Sequence, residues 1–112
     1  MRDFRAYRID RQDGEITAGF KRMSVDELTD GDVVIQVSHS TVNYKDALAA
    51  TGAGQILRKF PLTGGIDLAG TVVSSESEEF SAGQEVLVTG CGLSETRDGG
   101  YSEYARVPSD AV

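Results

Sequence analysis

The amino-acid sequence predicts a mainly β domain: six or seven short strands forming a barrel or sandwich, with one short helix. Three observations predict it. Short segments with a period of two recur along the chain, each bounded by a turn signal, and that spacing belongs to small all-β folds. Thirteen glycines stand against two prolines, which supplies the tight turns such a fold needs. The length of 112 residues, with 39% hydrophobic and 26% charged residues, suits one globular domain around one modest core.

The elements follow in order. FRAYRID and EITAGFK flank Gln12-Asp13-Gly14, and Asp-Gly between two such runs marks a hairpin because both central residues want positive φ. Val25 to Leu28 fits one helical turn capped by Ser24, and Thr29-Asp30-Gly31 breaks the chain after it. In DVVIQVSHS, Val33, Ile35 and Val37 share one face while Gln36, Ser38 and Ser40 share the other, the alternation of a half-buried strand. Tyr44 to about Ala50 are mostly good helix formers, with Tyr44, Ala47 and Leu48 on one face, and Thr51-Gly52-Ala53-Gly54 ends that helix. Ile56 to Phe60 has no clear period, and Pro61 discourages a helix there. GIDLAGTVV reads as a buried strand in which Gly70 marks a bulge or the close approach of another backbone. SSESEEF, Ser74 to Phe80, reads as a solvated acidic loop. Ser81-Ala82-Gly83 is a turn, QEVLVTG a strand and GLSETRDGG a loop. YSEYARVP is the last strand, with Tyr101, Ala105 and Val107 on one face.

Charge and composition exclude several function classes. A net charge of −7 argues against nucleic acid, because phosphate binding needs clustered Lys and Arg to replace counterions. It also disfavours anionic membrane surfaces. No apolar run approaches the roughly 20 residues that span a bilayer, and MRDFRAYRID lacks the apolar segment of a secretory signal. Cys91 is the single cysteine, so there is no intramolecular disulfide and no cysteine-rich zinc site. A cytoplasmic protein is expected.

Chemistry-bearing residues gather at one place. Asn43, Tyr44, Lys45 and Asp46 follow the strand DVVIQVSHS and open the helix. Asn43 as N-cap and Asp46 three residues on fit a capping arrangement, and the same residues place an amide, a phenol and a carboxylate at one edge of the scaffold, where ligands are usually met. Both roles stay open on these grounds. His39, the sole histidine, shares the Val33 face if the strand runs that far and is then half-buried; without a partner it is a poor metal ligand or acid–base. TGAGQ, Thr51 to Gln55, fails as a dinucleotide fingerprint, since it lacks the third glycine and follows a helix instead of opening one. Arg58-Lys59 is an exposed basic pair that could touch an anionic ligand.

Four stretches in this order, VNYKDALAATG, FPLTGGIDLAGTVV, FSAGQEVLVTG and GGYSEYARVP, resemble the N-terminal GroES-like catalytic domain of medium-chain dehydrogenases/reductases. They cover nearly the whole chain. The Asn-Tyr-Lys-Asp run is similar to the zinc-free branch of quinone oxidoreductases and acryloyl-CoA reductases. The zinc members carry a Cys near the position of Asn43 and a His near that of Ile66, and this chain has neither.

The resemblance implies a mainly β, GroES-like, partly open barrel with one or two short helices, spanning residues 1–112 as the substrate-side domain. The Rossmann cofactor domain is expected to lie outside this chain. It further implies a zinc-independent, NADPH-dependent reduction of a quinone or an α,β-unsaturated acyl-CoA by hydride transfer. Tyr44 and Asp46 are the expected catalytic residues, with Asn43 and Tyr44 beside the NADP nicotinamide and Asp67 on the strand facing the substrate cleft. No metal site is expected. The implied partner is a small-molecule substrate, with neither nucleic acid nor membrane, and the full-length protein is expected to be a homodimer. Two departures bear on the substrate: Ala50 stands where the wider family has Arg, and Gly64-Gly65 where it has Pro-Gly. The alternative is a free-standing GroES-like binding or assembly module without catalysis.

Overall fold

The computed structural model describes residues 3–112; Met1 and Arg2, the start of the MRDFRAYRID segment, lie outside the described residues. Seven strands and one α-helix form: β1 (Phe4–Gln12), β2 (Glu15–Met23), β3 (Val33–His39), α1 (Tyr44–Thr51), β4 (Leu62–Thr63), β5 (Asp67–Ser75), β6 (Glu85–Thr89) and β7 (Tyr104–Val107). Single 3-10 turns at Val25–Glu27 and Ser109–Ala111 complete the element list. Among the described residues no helix is long and apolar enough to cross a membrane.

The strands make two antiparallel sheets, ordered β2-β1-β4 and β6-β5-β3-β7. They do not close into one continuous barrel. The chain entering β7 crosses from one sheet to the other: the Tyr7 N–H donates to the Tyr101 carbonyl at 2.7 Å and the Glu103 N–H to the Arg5 carbonyl at 3.1 Å. This is the partly open, mainly β architecture expected from the sequence.

The predicted hairpin forms with Asp13 and Gly14 at φ 53° and 81°, and its register pairs Gln12 with Glu15. The alternation in β3 buries Val33 and Ile35 completely, and they pack with Leu68, Val72, Val88, Ala105 and Val107 as the main core. Burying such side chains contributes on the order of 1.5–3 kcal/mol each, so this core dominates the stability. At Gly70 the two central strands approach closely: a Cβ there would lie 2.2 Å from the Gln36 carbonyl oxygen. A side chain at that position would push β5 off β3.

Three details differ from the sequence reading. A bulge between Val37 and His39 shifts the register of β3 against β5. One extra residue reverses which face the next side chain meets, so His39 is exposed rather than half-buried, its Nδ1 lying 3.0 Å from the Ser38 hydroxyl. The last strand is shorter than YSEYARVP; Tyr101 and Ser102 pair with β1, and Glu103 bridges the two sheets, donating to the Arg5 carbonyl while its own carbonyl accepts the Val37 N–H at 2.9 Å. The acidic stretch from Ser74 to Phe80 gives Ser74 and Ser75 to β5, and Phe80 packs against the core, leaving Glu76 to Glu79 as the loop.

Candidate active site

The junction between β3 and α1 is built by two carboxylates. Asn43 occupies the N-cap with an extended backbone (φ −116°, ψ 163°). Asp46, three residues on, is 3% exposed. Its Oδ2 accepts the Asn43 backbone N–H at 3.0 Å and the Asn43 side-chain amide at 3.1 Å. Its Oδ1 accepts the Ile66 N–H at 3.0 Å, so one buried acid ties the start of the helix to the chain entering β5. A carboxylate in the first turn also complements the helix dipole. The same Asn43 amide also donates to the Thr41 hydroxyl at 3.0 Å and lies 3.4 Å from Asp67 Oδ2, so it links the helix start to Asp67.

Asp67 begins β5 and faces this cluster. It accepts the Thr41 hydroxyl at 2.6 Å, the Thr41 N–H at 3.1 Å and the Ser40 hydroxyl at 3.3 Å. Partial burial works to raise its pKa, but the bonds from Thr41, Asn43 and Ser40 outweigh it and hold the acid below the ordinary 3.8. Asp67 is therefore a fixed anion at neutral pH.

Tyr101 closes the cluster from the loop before β7. Its hydroxyl donates to the Thr41 carbonyl at 2.7 Å. Burial, with the charges of Asp46 and Asp67 beside it, pushes its pKa above the ordinary 10.0, so the phenol stays a donor. Its placement depends on two glycine pairs that cross: a Cβ on Gly100 would lie 2.1 Å from the Asp67 carbonyl oxygen, and one on Gly65 would lie 2.8 Å from the Tyr101 ring. The replacement of Pro-Gly by Gly64-Gly65 thus stands directly beneath Tyr101.

Of the four site residues predicted, Asn43, Asp46 and Asp67 share this network. Tyr44 does not join it. Its ring stands outside, 81% exposed, beside Val42 at 83%. An apolar side chain and a phenol this exposed, on a helix start fixed by buried hydrogen bonds, make a surface suited to contact with a ligand or another domain. Of the face shared by Tyr44, Ala47 and Leu48, Tyr44 and Ala47 point outward and Leu48 is half-buried, while the helix packs inward through Asp46 and Ala49. His39 lies apart, bonded to Ser38. Thr41, Ser40 and Tyr101 were missed in the sequence reading; the run of glycines around GGYSEY was the one signal for Tyr101. Among the described residues no three of His, Cys, Asp and Glu gather as a metal site.

This partly open, mainly β fold is that of the GroES-like domains of the medium-chain dehydrogenase/reductase superfamily. The chain belongs to the family of alcohol dehydrogenase GroES-like domains, which it matches over residues 29–112. It is 50% identical over 102 residues to the probable acrylyl-CoA reductase AcuI of Escherichia coli (strain K12), covering 91% of this chain and 32% of that protein. Among solved structures it is similar to the yhdH oxidoreductase of Salmonella enterica in complex with NADP, with 48% identity and a TM-score of 0.92, covering 96% of this chain and 33% of that one. The Bacillus subtilis protein yhfP with NAD bound is 42% identical with a TM-score of 0.94, covering 99% of this chain and 34% of that one. The chain therefore spans about a third of the length of the relatives it matches.

Proposed function

We propose that this chain is the substrate-side, N-terminal domain of a zinc-independent, NADPH-dependent oxidoreductase that reduces an α,β-unsaturated acyl-CoA of the acryloyl type or a quinone. The observation that carries the reading is the exposed Tyr44 ring on a helix start held by Asp46 and Asn43, in a chain 50% identical over 102 residues to a relative named as a probable acrylyl-CoA reductase. The Rossmann domain that would hold most of the cofactor is taken to lie outside residues 1–112. The protein is taken to be cytoplasmic and the full-length form a homodimer.

The residues present fit a nicotinamide nucleotide. Val42 and Tyr44 offer an apolar side chain and a ring face for stacking, and Asn43 stands between them. A bound nicotinamide nucleotide supplies the hydride. Tyr44 and Asn43 would hold its ring, and the Tyr44 phenol is a donor that would meet negative charge developing on the substrate oxygen. Asp46 acts from beneath, fixing the helix start and so the position of Tyr44. Asp67 fixes Thr41 and Ser40 through its hydrogen bonds. The donor set favours a zinc-free reading, since a carboxamide and an alkyl group at Asn43 and Ile66 are not the thiolate and imidazole a zinc site uses.

The test is NADPH oxidation by the full-length protein with acryloyl-CoA and with a quinone, in chelator-treated buffer. Turnover of either substrate without added zinc is expected, and no turnover is expected from residues 1–112 alone. Robust oxidation by the 112-residue chain, or activity that returns only with zinc, would overturn the reading.

A further inference from the structure

We propose that a groove walled by Lys45, Arg58 and Glu95 is a phosphate-binding subsite for the coenzyme A arm of an acyl-CoA substrate. This rests on the reductase reading above and selects the acyl thioester over the quinone. Charge distribution makes the groove unusual. Residues 24–112 carry fourteen Asp and Glu against only five Lys and Arg. Two of those five, Lys45 and Arg58, line one groove of about 510 Å³ together with Gln55, Ile56, Leu57 and Glu95.

The groove is held in shape and lies one residue from the exposed phenol. Lys45 follows Tyr44 in the first turn of α1, and its ammonium pairs with Glu95. That acid sits on the loop between β6 and β7, and its carbonyl accepts the Arg58 N–H at 2.7 Å. Leu57, next to Arg58 in the chain, is buried and anchors the segment to the core. The Arg58 side chain is exposed and, among the described residues, has no carboxylate partner. Glu95 neutralises Lys45 and leaves Arg58 uncompensated, so the groove keeps a net positive charge in a domain that is otherwise strongly negative.

A phosphate fits that balance. A guanidinium offers a planar fork that pairs with two phosphate oxygens, and a neighbouring ammonium adds a point charge. A neutral quinone would leave the Arg58 guanidinium without a counterpart. Phosphate could come from the coenzyme A arm or from the nicotinamide nucleotide, and the placement on the substrate-side domain favours the former.

The experiment uses the full-length protein, comparing wild type with Arg58→Gln. The KM values for acryloyl-CoA, for acryloyl-pantetheine, which lacks the phosphates, and for NADPH are measured in each. Arg58→Gln is expected to raise KM for acryloyl-CoA about tenfold more than for acryloyl-pantetheine, leaving KM for NADPH in place. Calorimetric titration of free coenzyme A is expected to show the same weakening, growing smaller at high salt. Lys59→Gln, an equally exposed cation lining a different groove, is the control and should change neither readout. A shift confined to KM for NADPH would assign the phosphate to the cofactor and overturn the proposal. Equal KM changes for both thioesters, or none, would overturn it while the reductase reading stands. A protein that reduces quinones but neither binds coenzyme A nor turns over acryloyl-CoA would end both the subsite and the thioester reading.

Discussion

Two buried carboxylates, Asp98 and Asp46, do similar work in different company. Asp98 is 1% exposed and accepts the Arg8 guanidinium at 2.6 Å, the Thr63 N–H at 2.7 Å and the Thr29 N–H at 3.0 Å. Its own N–H donates to the Thr29 hydroxyl at 3.0 Å. Asp46, at 3%, accepts only neutral donors, from Asn43 and Ile66. One acid is balanced by a buried cation and joins β1, β4 and two loops within the scaffold. The other has no cation and lies beneath the exposed Tyr44 and beside a second anion, Asp67. Charge neutralised inside the fold is a staple, whereas an acid balanced by amides and hydroxyls at an edge fixes the geometry of a surface.

The largest effect should come from breaking the staple. Asp98→Ala leaves the mostly buried Arg8 guanidinium without its carboxylate, with only the Thr63 hydroxyl at 3.1 Å to accept from it, and removing one member of such a pair costs about 3–5 kcal/mol. Chemical denaturation of the full-length protein should register that loss, and a cost below about 1 kcal/mol would mean the network is slack. Asp46→Ala should cost less, about 1–3 kcal/mol for the unpaired donors, but should lower turnover beyond what the stability change explains. If catalysis survives while stability falls, Asp46 is a cap and nothing more.

Asn43→Ala comes next, at about 1 kcal/mol for a lost N-cap residue, measured by thermal melting. Smaller again is the pH dependence. Asp67 has a lowered folded pKa, so its stabilising contribution is present above the unfolded value and is lost as pH falls through the folded one. Tyr101 has a raised folded pKa, so its contribution is present below pH 10 and declines as pH rises above that. Acid and alkaline unfolding curves of Asp67→Asn and Tyr101→Phe should each lose one of these slopes. If Asp67→Asn leaves the acid limb unchanged, the Thr41 and Ser40 bonds do not stabilise its charged form.

Much of the fold was legible because the strands bury alternate residues and the turns carry Asp-Gly and Ser-Ala-Gly signals. The face of β3 and the close approach at Gly70 both followed from that pattern. His39 did not, because a bulge is a tertiary adjustment between β3 and β5 that leaves no mark in one strand's alternation. At the site, Asn43 and Asp46 were visible through their capping spacing, and Asp67 through the resemblance. Thr41 and Tyr101 were hidden because they are 60 positions apart in sequence, joined only when two glycine pairs let distant loops cross. The outward turn of Tyr44 and Ala47 was also illegible: a buried Asp46 takes the inward position that a hydrophobic residue would usually hold.

The central claim is that the Tyr44 phenol, carried outside the core on a helix start locked by Asp46, acts in hydride-transfer chemistry. It is tested most directly by Tyr44→Phe in the full-length protein, with NADPH oxidation and thermal melting measured on the same sample. The account predicts turnover reduced at least about tenfold with stability within about 0.5 kcal/mol of wild type, as expected for an exposed side chain. Unchanged turnover would contradict it.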